Sequence, residues 1–146
     1  MDPVNAMLNY GYSMLAREIQ GELENRGLNS FIGMMHEDRL GHAALASDLL
    51  EEWRAPIVDS TVMSLIQGNE IHLEDFCYED DACRFTKEGM KVFLSKMEKK
   101  MHSEMKYLEY IGRPVSFRQA LWHQAARLAV SVDQENLGGY EPIRIR

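Results

Sequence analysis

The chain has 146 residues, 45% of them hydrophobic, and a formal net charge of −7, which suits one domain around a single core. No apolar run reaches the ~18 residues of a membrane span, residues 1–9 lack the basic start and apolar stretch of a secretory signal, and two cysteines, Cys77 and Cys83, are too few for a disulfide scaffold and suit a reducing cytoplasm. The charge is uneven: residues 1–83 carry 4 Lys/Arg against 16 Asp/Glu, and residues 84–146 carry 12 against 7.

The pattern reads as helix after helix. Asp2-Pro3 is a helix start, with Asp at the N-cap and Pro in the first turn. Val4, Leu8, Tyr12, Leu15, Ile19 and Leu23 recur at helical spacing, and Gly27 ends the run. A connection over 28–40 leads to a second helix over 42–53, with Leu45, Leu49 and Trp53 on one face. Pro56 opens a third, which turns Val58, Val62, Leu65 and Ile66 inward and stops near Gly68. The acidic stretch 69–84 reads as a loop. Thr86 then caps a long helix with the stripe Met90, Phe93, Met97, Met101, Met105 and Leu108, broken by Gly112 and Pro114. The methionines on that stripe are core filler. Ser116 caps a last helix with Phe117, Leu121, Gln124 and Leu128 on its stripe. The tail 136–146 reads as extended, and only 140–146 has a strand-like pattern.

Three places carry chemistry. His36 follows an apolar run and precedes a helix, which suits a metal ligand, a general base, or a half-exposed histidine with one hydrogen bond. Asp48, Glu51 and Glu52 share a helix face, because i+3 and i+4 neighbours lie side by side. Their mutual repulsion, a few tenths of a kcal/mol each, disappears if a hard cation such as Mg²⁺ or Mn²⁺ sits among them. A solvated acidic face balanced by Arg54 accounts for the same spacing. Cys77, Cys83 and His72 fit no familiar zinc spacing. The basic C-terminal part offers Arg113, Arg118, Arg127, Arg144 and Arg146 to phosphates, with Gln119, His123 and Gln124 on the last helix within reach of the same groove. The bland reading is that mixed surface charge keeps the domain soluble. A bundle with a di-metal carboxylate site would want two Glu-x-x-His motifs, and the sequence has none.

Longer strings resemble one family. Asp2-Pro3-Val4-Asn5-Ala6-Met7-Leu8-Asn9-Tyr10-Gly11-Tyr12 resembles the opening of the helical domain of CRISPR-associated spacer integrases. Gly33-Met34-Met35-His36-Glu37-Asp38-Arg39 is similar to that family's histidine block, and Leu45-Ala46-Ser47-Asp48-Leu49-Leu50-Glu51-Glu52-Trp53-Arg54 to its acidic block. Pro56-Ile57-Val58-Asp59 continues in register; Gln124-Ala125-Ala126-Arg127-Leu128-Ala129 and Tyr140-Glu141-Pro142-Ile143-Arg144 also resemble the family. His42 and Ala44 depart from it, standing where arginine and a small polar residue are common.

The resemblance implies an all-α, compact multi-helix lobe, a single domain over 1–146 without the family's N-terminal β domain. It implies metal-dependent phosphodiester chemistry on double-stranded DNA: insertion of spacer DNA into a CRISPR array by transesterification, with nuclease activity. His36, Asp48 and Glu51 then take the catalytic positions, and Mg²⁺ or Mn²⁺ is held by His36, Glu51 and Asp48, with Glu52 the weakest candidate. Arg39, Arg113, Arg118, Arg127 and Arg144 are the expected DNA contacts. A homodimer and a small second CRISPR adaptation protein are the implied partners, the cytoplasm the implied location, with no membrane association. The family's first metal-binding glutamate falls upstream of this sequence, and Glu18 and Glu22 lie outside its motif. The expectation is a fragment, a truncated gene product or an unusually short family member that holds two of the family's three metal ligands and binds Mg²⁺ weakly; the alternative is a non-catalytic helical module for dimerisation or partner docking.

Overall fold

A computed structural model describes residues 2–28, 49–134 and 140–143. Helix α1, Pro3–Glu24, starts as its sequence dictates: the Asp2 carboxylate accepts from the Asn5 backbone N–H at 2.9 Å, satisfying one of the donors that every helix start leaves open. Met7, Leu15, Ile19 and Leu23 are buried along it. Val4, at the edge of the expected stripe, is exposed, and Ala6 and Met7 take the inward positions instead. Gly11 is a packing requirement: a Cβ there would run into the Val58 side chain, so glycine lets α1 approach closely.

Residues 49–53 are α-helical and run without a break into a π-helical segment, Arg54–Asp59, and then into α2, Ser60–Gln67. Pro56 therefore lies within a continuous helical rod and does not open a new one. Having no N–H, it cannot bond the carbonyl four residues back, and the rod widens over this stretch: the Ser60 N–H reaches back five residues to the Ala55 carbonyl. Pro56, Ile57 and Val58 are buried there. Ile66, expected inward, is exposed at the end of α2.

The stretch read as a loop contains a hairpin. Strands β1, Phe76–Glu79, and β2, Ala82–Phe85, pair antiparallel, with Phe76 opposite Phe85 and Tyr78 opposite Cys83. Asp80 and Asp81 both take left-handed backbone (φ 49° and 60°), as a two-residue hairpin turn requires. Cys77 pairs with Arg84 and Cys83 with Tyr78, so the cysteines are on opposite faces of the ribbon and are not paired. His72 starts a short turn, Leu73–Asp75, its backbone N–H donating to the Asp75 carboxylate at 2.8 Å.

Helix α3, Lys87–His102, is capped by the Thr86 hydroxyl, which accepts from the Gly89 N–H at 3.1 Å. Gly89 passes so close to the Asp75 backbone that any Cβ would collide with it. The helix stops at His102, short of the expected Leu108. Glu104–Met105 instead forms β3, which pairs with β4, Val115–Ser116. Gly112, at φ 70°, supplies the left-handed turn inside that loop. Ser116 then caps α4, Phe117–Asp133, in a reciprocal box with Gln119.

The core gathers around two aromatic groups. Phe93, fully buried, meets Tyr10 and Phe85; Trp53, also fully buried, meets Phe117 edge-on at 6.0 Å, with Tyr107 beside both. Burying a side chain such as Phe93 contributes roughly 1.5–3 kcal/mol. The domain is a compact helical one, as expected, with two small ribbons added. Among the described residues no helix is long and apolar enough to cross a membrane. The tail residues 140–143 are irregular, not a strand.

Candidate active site

Leu49 and Trp53, four apart, anchor the helical turn 49–53 in the core. That anchoring decides where the two carboxylates between them go. Glu51 is exposed, with no hydrogen bond or ion pair among the described residues. Glu52 is half-buried and faces α4 and the tail.

Glu52 is heavily engaged. The Tyr140 hydroxyl lies 3.1 and 3.2 Å from its two oxygens, the Ile143 backbone N–H donates to Oε2 at 3.2 Å, and Gln124 Nε2 donates to Oε2 at 3.3 Å. Gln124 is fully buried. Its amide group also lies 3.2 Å from the Tyr140 hydroxyl and 3.4 Å from the Glu141 carbonyl, while its Oε1 accepts from the Tyr110 hydroxyl at 3.0 Å. A buried amide needs such partners to offset the loss of water. Burial pushes the Tyr110 phenol up from its usual range, and the Arg127 cation opposes that rise. Tyr107, Tyr110, Tyr140 and Pro142 edge a cavity of about 200 Å³ beside this network.

The basic residues divide into engaged and open. The Arg118 guanidinium donates to Glu18 at 2.7 Å and to both oxygens of Glu98, at 2.9 and 3.1 Å. These bonds hold the Glu98 carboxyl below its usual range. Arg127 lies 4.1 Å over the Tyr110 ring and reaches Glu141 at 3.4 Å. Arg113 is exposed at the turn before β4. Burial, with Arg113 and Arg26 nearby, lowers the His123 pKa. Gln119 is occupied by the α4 cap. His36, Arg39, Asp48 and Arg144 lie outside the described residues. Among those described, no three His, Cys, Asp or Glu side chains come together as a metal-binding group.

The clasp of Glu52, Gln124, Tyr110 and the tail was not foreseen from the sequence. One signal pointed to it: a glutamine in the middle of an apolar stripe must find buried partners.

The chain matches the family model of CRISPR associated protein Cas1 over residues 1–99. It is 34% identical over 145 residues to the CRISPR-associated endonuclease Cas1 3 of Thermus thermophilus, covering 99% of this chain and 43% of that protein. A CRISPR-associated endonuclease Cas1 of Mycobacterium tuberculosis is 46% identical over 81 residues, 56% of this chain and 24% of that protein. The chain thus spans less than half the length of these curated relatives. A casposase bound to integration product superposes with a TM-score of 0.77 at 27% identity, over 99% of this chain and 42% of that one. A chain of a Cas6-RT-Cas1–Cas2 complex shares the fold, with a TM-score of 0.76 at 24% identity over 97% of this chain and 15% of its own. The chain belongs to the Cas1 family and corresponds to its C-terminal part.

Proposed function

We propose that this chain is the helical lobe of a DNA endonuclease and integrase of CRISPR adaptation, joining 3′-hydroxyl ends of spacer DNA to a CRISPR repeat by transesterification. The observation that carries the reading is the match, along nearly the whole chain, to proteins named as Cas1 endonucleases, together with an acidic block whose Glu51 carboxylate is exposed and has no partner among the described residues. Double-stranded DNA, a second copy of the chain and a small adaptation protein of the Cas2 kind are the proposed partners, and the cytoplasm the proposed location. Neighbours in fold include a Cas6-RT-Cas1–Cas2 complex, which supports the second of these protein partners.

The donor chemistry fits a divalent cation. Glu51 offers a solvent-facing carboxylate without a competing partner among the described residues, and hard cations favour oxygen donors. His36 and Asp48 are the proposed companions, His36 through a neutral ring nitrogen. An imidazole in the set tilts the preference from Mg²⁺ toward Mn²⁺. When bound, such an ion stabilises charge on a scissile phosphate and lowers the pKa of an attacking hydroxyl. Glu52 has a different task in this reading: it fixes the turn that carries Glu51 by fastening it to α4 and the tail. Arg39, Arg113 and Arg144 are proposed phosphate contacts, and Arg118 and Arg127 contribute from within their ion pairs.

The test is a Mn²⁺-dependent joining assay, with labelled 3′-hydroxyl DNA and a repeat-containing duplex. Product from the native chain that falls at least 100-fold in His36→Ala and Glu51→Gln supports the reading. Product that persists in both variants contradicts the assignment of these residues. No product from any of the three contradicts chemistry by this chain.

A further inference from the structure

Helix α3 carries a charged row that the candidate site does not use. Lys91, Ser95 and Lys99 recur every four residues and are all exposed, so they line one ridge about 12 Å long at ~1.5 Å per residue. Lys87 continues the row one turn upstream. A shallow groove of about 390 Å³ runs along it, lined by Glu70, Lys91, Val92, Ser95, Lys96 and Lys99.

The contrast with the arginines is informative. Arg118 and Arg127 already hold carboxylates. Lys91 and Lys99 form no hydrogen bond or ion pair among the described residues, and neither does Lys87. Two of the acidic groups nearby are committed elsewhere, Glu70 to Lys96 at 2.5 Å and Glu98 to Arg118, and Glu88, in the first turn beside Lys87, is the exposed carboxylate that flanks the row. Lys87 and Lys91, like charges four apart, destabilise the helix slightly in the free protein. A polyanion laid along the row would remove that cost. The groove's chemistry selects among polyanions. Its lining has one apolar residue, the half-buried Val92, and no aromatic. Protein interfaces draw their energy from aromatic and arginine anchors and are depleted in lysine. Flexible point charges beside a hydroxyl suit a phosphate backbone read without regard to sequence.

We propose that the Lys87–Lys91–Ser95–Lys99 ridge is a second, sequence-independent contact for DNA phosphates, with Glu70 restraining Lys96 from joining it. This rests on the reading of the chain as DNA-acting. The experiment measures binding of a labelled mixed-sequence duplex to the full chain across a KCl series. Replacing both lysines (Lys91→Gln with Lys99→Gln) should weaken binding ~10-fold or more at moderate salt. It should also lower the slope of log affinity against log salt by about two. Glu70→Gln releases Lys96 and should tighten binding a few-fold, a gain that a misfolded variant would not give. Native-like slope and affinity in the double variant overturn the ridge while leaving the DNA-acting reading intact. If instead the native chain shows no salt-dependent binding at all, the DNA-acting reading falls, and the ridge with it. A double variant that binds DNA normally but changes mass in light scattering overturns the proposal in favour of a protein interface.

Discussion

Glu51 and Glu52 are adjacent in sequence, yet their surroundings are opposite. Glu52 sits in a closed polar region, met by a phenol, a backbone N–H and a buried amide. Glu51 sits on an open one, facing solvent. A helix turns successive residues by about a quarter of a circle or more, so two neighbours anchored by Leu49 and Trp53 necessarily look in different directions. An acidic cluster read from spacing is therefore not one structural unit. One carboxylate is bound into the architecture, and its neighbour faces solvent.

The closed region offers the largest expected effect. Replacing Gln124 with Leu removes a donor to Glu52 and the acceptor of the Tyr110 hydroxyl in a fully buried position. Stranding such groups costs about 2–4 kcal/mol, which urea unfolding would register as a lowered midpoint at constant slope. A midpoint like the native one would mean that the clasp contributes little, and that Glu52 is as open as Glu51.

A smaller effect is expected where α1 meets the π-helical segment. The Tyr12 hydroxyl donates to Asp59 at 2.5 Å, and burial together with that bond pushes its pKa up to about 12. Tyr12→Phe should cost about 1–2 kcal/mol. Because the folded-state phenol ionises at a higher pH than an unfolded one near 10, the stabilisation is fully present below pH 10 and fades as the pH rises through 12. Thermal melts at pH 7 and pH 11 would check it: the gap between native and variant should narrow at the higher pH, and an unchanged gap would show that the bond does not govern the titration.

Much of this fold was legible where signals are local. Asp2-Pro3, Thr86 and Ser116 announced three helix starts, and each does cap its helix. The hairpin was missed because its turn is Asp80-Asp81, without the glycine that normally marks left-handed backbone, and because its strands are only four residues long. The α3 stripe ran on to Met105 and Leu108 because both remain core-facing, half-buried and buried, after the helix has ended. Apolar spacing reports which side chains go inward, not which backbone takes them there. The Glu52 clasp joins residues 72 to 91 positions apart, and no local pattern encodes such a pairing. Of the motif read as a site, His36, Asp48 and Glu51, only Glu51 lies among the described residues; the distinction between Glu51 and Glu52 was not legible, because it depends on what α4 and the tail bring to one side of the turn.

The most direct measurement is Mn²⁺ affinity, read by the loss of the free-ion electron paramagnetic resonance signal, in the native chain and in His36→Ala, Glu51→Gln and Glu52→Gln. His36→Ala and Glu51→Gln are each expected to weaken binding at least 10-fold, while Glu52→Gln retains affinity within about 3-fold and loses thermal stability instead. Equal loss of affinity in Glu51→Gln and Glu52→Gln, or none in Glu51→Gln, would contradict this expectation.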